Sequence, residues 1–282
     1  MTPPPTMIAS YLRFSVNFAS AGITRIRSQR SVASSPPSQP IRAPVHIDDN
    51  RVMSLAQPES PGPLRRERLR TARLYFVCEA RPGGQDPEPL LHAALTGGAD
   101  IVQLREKSLP RRETELSALT FRRLCDTFSA LFIVNDDPDL ARACNADGVH
   151  LGQDDLPVED ARETLGPAAI VGLSTHSEEQ IAAAAEQPVD YISVGPIWET
   201  PTKEGRPGVG LELVSHAAEA TSLPFFAIGG IDPSNATDVV RAGARRLCVV
   251  RAIRDAEDPT AVAESLREAF AAAGANGVAP GG

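Results

Sequence analysis

The chain has 282 residues, 42% of them hydrophobic and 23% charged, enough apolar material for a sizeable core. Its formal net charge of −8 argues against a nucleic-acid surface, while a local cationic pocket for an anionic metabolite remains compatible with it. No apolar stretch is long enough to span a membrane. The four cysteines form no CxxC pair, which points to free thiols in a reducing, cytoplasmic setting and to no structural metal site.

The charge is spread unevenly. Residues 1–70 are rich in Pro, Ser and Arg, carry no acidic residue before Asp48 and show no sustained period. They read as a disordered extension. Two other readings are a targeting peptide and sequence upstream of a true start near Met53. Pro3-Pro4-Pro5 and Pro36-Pro37 would interrupt any amphipathic targeting helix.

From Leu74 on, short apolar runs alternate with amphipathic segments. Strands are expected over 74–78, from Ile101, and over 131–134, 148–151, 170–173, 191–194, 225–228 and 247–250. Helices are expected over about 87–96 and 111–128, through Leu140 and Ala143, and over 158–165, 178–186, 211–220, 234–242 and 259–273. The helix over 111–128 places Leu116, Leu119, Leu124 and Phe128 on an apolar face, and Ser177 is a fitting N-cap for the helix at 178. A long loop, 195–210, follows the sixth strand. Eight strands alternating with eight helices predict a single (β/α)₈ TIM barrel over 71–273, with a flexible Gly- and Pro-rich tail over 274–282. A doubly wound open sheet is the alternative. It leaves the polar strand ends dispersed, whereas a closed barrel makes them converge on one rim.

The stretch Ile101-Val102-Gln103-Leu104-Arg105-Glu106-Lys107 carries most of the functional signal. As a strand it puts Val102 and Leu104 on one face, and Gln103, Arg105 and, if the strand runs that far, Lys107 on the other. A solvated face would look the same, but strands of β/α units are covered by helices, so a polar face there suits a site. Two cations and an amide at a strand's C-terminal end suit a multiply charged anion such as a diphosphate. Later strand ends add Asn135 and Asp136, then Asp155, then Ser174 and His176, and the sixth loop adds Thr200, Thr202 and Lys203. Asp136 and Asp155 beside those cations suit Mg²⁺ on a phosphate-bearing substrate, since Mg²⁺ takes only one or two protein carboxylates. Taken alone, Asn-Asp-Asp-Pro and Asp-Asp-Leu-Pro are also ordinary turn and helix-cap sequences. Gly229-Gly230 after the seventh strand lets backbone N–H groups approach a second anion. His150 and His176 receive no catalytic role.

Six ordered segments carry a resemblance: Ile101 to Lys107, Phe132 to Asp137, Ala146 to Asp155, Gly172 to His176, Asp190 to Lys203 and Ala227 to Ile231. Together they resemble the motifs of the thiamine-phosphate synthase family over about Leu74 to Phe270. The resemblance implies a transferase that joins hydroxymethylpyrimidine diphosphate to a thiazole phosphate and releases diphosphate. It assigns Gln103, Arg105, Lys107, Asn135 and Lys203 to the pyrimidine diphosphate, with Arg105, Lys107 and Lys203 stabilising the departing charge. It assigns Asp136 and Asp155 to Mg²⁺ and Ser174 to the pyrimidine. Thr200, Thr202, Gly230, Val250 and Arg251 fall to the thiazole phosphate. The family often has serine where this chain has Arg251.

No Ser-His-Asp or Cys-His arrangement offers a nucleophile, which fits a reaction driven by departure of diphosphate. The expected partners are the two small substrates, with no nucleic acid and no membrane; a homo-oligomer is compatible with the sequence. A thiazole tautomerase-like isomerase and a non-catalytic phosphate-binding barrel are the alternatives. The first would not need the diphosphate half of the site.

Overall fold

The computed structural model describes residues 61–200 and 207–275. The extension expected over 1–70 lies outside the described residues as far as residue 60, as do Thr202, Lys203 and most of the tail. Eight parallel strands close into a barrel: β1 Leu74–Cys78, β2 Ile101–Leu104, β3 Leu131–Asn135, β4 Gly148–Leu151, β5 Ile170–Thr175, β6 Tyr191–Val194, β7 Phe225–Ile228 and β8 Leu247–Val249. Closure is made by β8 on β1, with Tyr75 opposite Cys248. The helices among the described residues are α1 Pro61–Thr71, α2 Glu88–Thr96, α3 Arg111–Phe128, α4 Pro138–Ala143, α5 Val158–Leu165, α6 Glu178–Ala185, α7 Gly210–Ala220, α8 Ala236–Arg241, α9 Arg251–Arg254 and α10 Pro259–Ala275.

The period-2 alternation of each strand sorts its residues between two cores. Phe76, Val102, Leu104, Phe132, Val134, Val149, Leu151 and Ile192 face outward into the layer shared with the helices. Tyr75, Val77, Ile101, Leu131, Ile133, Ile170, Tyr191, Phe226 and Cys248 fill the barrel interior. The barrel is thus a packed core whose open face is left to the strands' C-terminal ends. All four cysteines are buried free thiols.

Two features of the helical layer differ from the sequence reading. First, residues 61–71 are not part of a structureless extension. They form α1, whose Leu69, with Ala72 just beyond it, packs on the interior core. Arg65 Nε donates to Asp147 Oδ1 at 2.8 Å and Arg66 Nε to Asp190 Oδ1 at 2.7 Å. The Arg-rich run that reads as extension has few apolar residues because only one side of α1 touches the barrel; Arg65 and Arg66 find carboxylates far away in sequence, while Arg70 pairs locally with Glu67. Second, α3 forms where expected but buries another face. Leu116 and Leu119 are 61% and 64% exposed, while Thr114, Ala118, Phe121, Leu124 and Cys125 are buried. A barrel helix packs a narrow stripe, and the small Ala118 lets the backbone approach.

A repeated device ties the strands at their N-terminal ends. Asp100, Asp147 and Asp190 each stand immediately before an even-numbered strand. Their carboxylates accept from the backbone N–H of Leu74 at 3.0 Å, Phe132 at 2.9 Å and Val171 at 2.8 Å, on the preceding odd strands. Arginines from the helical layer neutralise each: Arg267 on Asp100, Arg65 and Arg122 on Asp147, Arg66 and Arg162 on Asp190. Arg246 stands at the equivalent place before β8. Among the described residues, no helix is long and apolar enough to cross a membrane.

Candidate active site

The C-terminal rim opens onto a cavity of about 490 Å³. Its floor is a buried hydrogen-bond chain built from inward-facing strand residues. Gln103 Nε2 on β2 donates to Tyr75 Oη on β1 at 2.7 Å, and Tyr75 Oη lies 3.0 Å from Tyr191 Oη on β6. His150 on β4 places Nδ1 3.0 Å from Tyr191 Oη and Nε2 3.0 Å from Ser174 Oγ on β5. Ser193 Oγ on β6 lies 3.4 Å from the same Nε2 and donates to Ser174 Oγ at 3.5 Å. Gly172 is required here, because a Cβ on it would sit 2.1 Å from Tyr191 Cζ. Burial pushes both phenols well above the ordinary tyrosine value, so each carries its proton.

The rim beside this floor is charged. Strand β2 ends at Leu104, so Arg105 and Lys107 stand on the loop that follows rather than on the strand. Glu106 shapes that loop. Its Oε1 accepts from the backbone N–H of Lys107, Ser108 and Leu109 and from Ser108 Oγ, at 2.8–3.1 Å. Its Oε2 accepts from Ala80 N at 3.3 Å. Partial burial works against ionisation of Glu106, but the donors from Ser108, Leu109 and Lys107 outweigh it and hold the carboxyl below its ordinary value. Lys107 Nζ pairs with Asp136 Oδ2.

Asp136 sits at φ 63°, a left-handed conformation that a short polar residue tolerates. There its carboxyl meets that of Asp155; desolvation and this second carboxyl raise its pKa against the Lys107 contact. Asp155 Oδ2 also accepts from Gly152 N at 2.7 Å. Asp137, by contrast, caps α4: its Oδ1 accepts from Leu140 N at 2.8 Å. The sequence alternatives for Asn-Asp-Asp-Pro thus fall to neighbouring residues, one lining the cavity and the other capping a helix. Among the described residues no group of three or more His, Cys, Asp or Glu side chains could hold a metal. Two neighbouring carboxylates at the rim of this cavity nevertheless fit a Mg²⁺ that would complete its shell with water and phosphate oxygens.

The opposite rim is built from backbone. Gly229 and Gly230 have φ of 106° and 69°, and a Cβ on Gly230 would lie 2.8 Å from Trp198 Cβ, so glycine is needed on both counts. Asn235 Nδ2 ties the turn by donating to Gly230 O at 2.9 Å. Val250 and the exposed Arg251 follow β8 at the start of α9, and both line the cavity, as does the buried Thr200. Of the residues singled out from sequence, Gln103, Arg105, Lys107, Asn135, Asp136, Asp155, Ser174, His176, Thr200, Gly230, Val250 and Arg251 line this one cavity. Thr202 and Lys203 lie outside the described residues. Sequence reading missed Tyr75, Tyr191 and Gln153, whose Nε2 donates to Ser174 O at 2.6 Å. The signal for the tyrosines was present: a phenol inside an apolar barrel strand needs a partner for its hydroxyl.

The sequence model of the family described as thiamine monophosphate synthase matches residues 74–253. The chain belongs to this family. It is 52% identical to the thiamine-phosphate synthase of Thermobifida fusca over 74% of this chain and 97% of that protein. It is 49% identical to the thiamine-phosphate synthase of Mycobacterium tuberculosis over 73% and 98%. Among solved structures, the thiamine phosphate pyrophosphorylase of Pyrococcus furiosus superposes with a TM-score of 0.66 at 34% identity, covering 74% of this chain and 98% of that one. A tryptophan synthase chain of Mycobacterium tuberculosis, 14% identical with a TM-score of 0.56, shares the fold alone.

Proposed function

We propose that this chain joins hydroxymethylpyrimidine diphosphate to a thiazole phosphate, giving thiamine phosphate and diphosphate. The observation that carries the reading is the meeting of Asp136 and Asp155 beside Lys107 and Arg105, on the rim opposite Gly229-Gly230. One cavity then holds two different anions, which an isomerase acting on the thiazole alone does not need.

In this reading Gln103, Arg105, Lys107, Asn135 and Lys203 bind the pyrimidine diphosphate, and Ser174 meets the pyrimidine ring. Thr200, Thr202, Gly230, Val250 and Arg251 take the thiazole phosphate. Asp136 and Asp155 hold Mg²⁺, which when bound offsets the charge that two carboxylates and a diphosphate bring together. The bond from the pyrimidine methylene carbon to the diphosphate oxygen breaks, and the carbon becomes cation-like. Arg105, Lys107 and Lys203 stabilise the electrons that leave on the diphosphate; a preorganised donor of this kind is worth about 3 kcal/mol, or roughly a hundredfold in rate. The thiazole nitrogen then donates its lone pair to the carbon, held in line by its phosphate on the glycine turn. No protein nucleophile is required.

The test is diphosphate release in Mg²⁺ with both substrates and with each alone. Release that requires both supports the reading. Isomerisation of a thiazole phosphate without the pyrimidine substrate, or no turnover at all, overturns it.

A further inference from the structure

The chain across the barrel floor has a direction. Each tyrosine hydroxyl owns one proton and accepts through its lone pairs, and a neutral imidazole has one N–H and one acceptor nitrogen. Gln103 Nε2 gives a proton to Tyr75 Oη. The Tyr75 proton then goes to the neighbouring Tyr191 Oη, and the Tyr191 proton goes to His150 Nδ1. His150 must carry its own proton on Nε2, which donates to Ser174 Oγ. Ser193 also donates to that oxygen. With two donors on it, the Ser174 hydroxyl has its proton left to give, and Ser174 lines the cavity. An imidazolium at His150 breaks this sequence: Tyr191 would receive protons from both Tyr75 and His150 and would have to send its own elsewhere, although Tyr191 is fully buried.

We infer that Tyr75, Tyr191 and His150 are positioning residues, a one-way relay that holds His150 as the neutral Nε2–H tautomer and makes Ser174 a hydrogen-bond donor to the ligand. The chemistry it selects is an acceptor on the ligand, such as an aromatic ring nitrogen with a free lone pair. A group presenting N–H at the same point meets a proton and is rejected. Identification of that ligand with the pyrimidine diphosphate rests on the function proposed above; the direction of the relay does not.

The first test uses the full chain without substrates, labelled with ¹⁵N in histidine. The expected His150 signals are a pyridine-like Nδ1 and a pyrrole-like Nε2, assigned by their loss in His150→Gln. An Nδ1–H tautomer, or an imidazolium at neutral pH, overturns the relay, because the direction then runs the other way or is broken. This result stands whether or not the chain releases diphosphate. The second test is kinetic. His150→Gln keeps an N–H near the Nε2 position and His150→Asn does not. The Michaelis constant for the pyrimidine substrate is expected to be about tenfold higher in His150→Asn than in His150→Gln, the scale of one misdirected hydrogen bond, with the thiazole phosphate constant alike in both. Tyr75→Phe is expected to follow His150→Asn and to mix the two His150 tautomers. Equal constants in the two His150 variants overturn the positioning role. If Tyr75→Phe does not fold, the wild-type spectrum and the His150 pair decide the matter.

Discussion

Arg65 on α1 and Asp147 before β4 are joined at 2.8 Å across 82 residues of chain. Their side chains are only 19% and 9% exposed, so the pair is shielded from solvent at the closed end of the barrel. Hydrogen bonds to charged groups contribute about 1.5–3 kcal/mol each when solvent is excluded.

Truncation should therefore show a sharp boundary. A chain beginning at Pro61 keeps Arg65, Arg66 and Leu69, and its melting temperature should match that of the full chain. A chain beginning at Arg68 loses both arginines and should melt several degrees lower, with turnover per folded molecule unchanged, because α1 is at the end away from the cavity. Thermal melts and active-site titration of the two chains check this. Equal melting temperatures would mean that α1 only decorates the barrel.

The two carboxylates of the Asn-Asp-Asp-Pro segment should separate under Mg²⁺ titration. Asp136→Asn and Asp155→Asn are expected to weaken metal activation, with partial recovery at high Mg²⁺. Asp137→Asn should keep activation near wild type, since asparagine caps helices about as well as aspartate. Diphosphate release at graded Mg²⁺ distinguishes them. Loss of activation in Asp137→Asn alone, or full activity in chelator, would sink the metal assignment.

Arg105→Ala and Lys203→Ala should each lower kcat by about a hundredfold while the fold persists. Both are assigned to the leaving diphosphate, where charge grows in the transition state. A raised KM at unchanged kcat would indicate uniform ground-state binding instead.

Glu106 gives a stability signature with a defined sign. Its folded-state pKa is depressed, so its contribution is fully present above the ordinary value of 4.5 and is lost as pH falls below it. The melting-temperature gap between wild type and Glu106→Gln should be constant from neutral pH down to that point and shrink below it. A gap that widens on acidification contradicts the ion-stabilised loop. The variant should also lower kcat, since the loop positions Lys107.

The barrel itself was legible in the sequence, because eight apolar runs alternate with helical segments and every run from the second onward ends in polar or glycine residues. Gln103 facing inward followed from the period of 2 along its strand, as did the companionship of Asp136 and Asp155 from the strand ends that carry them. What stayed hidden depends on distances between elements. Leu116 and Leu119 fit a helical apolar face, but only the tilt of α3 on the sheet decides that Ala118 and Phe121 are buried instead. Arg65 and Arg66 look like surplus charge until Asp147 and Asp190 are brought under them. Tyr75 and Tyr191 stand 116 positions apart, and nothing local announces that their hydroxyls meet.

The aspartates before β2, β4 and β6 have a mechanical consequence. Each fastens an even strand to the backbone of the odd strand before it, so β1–β2, β3–β4 and β5–β6 behave as stapled pairs. The fourth pair has Arg246 in place of an aspartate, and β7–β8 register over two residue pairs only. The ring therefore has a weakest seam, and it lies beneath the glycine turn and Arg251, to which the proposed function assigns the second anion. Among the barrel strands, amide exchange should be fastest in β7 and β8 of the free protein, and a ligand gripping that turn from above would act as the missing staple.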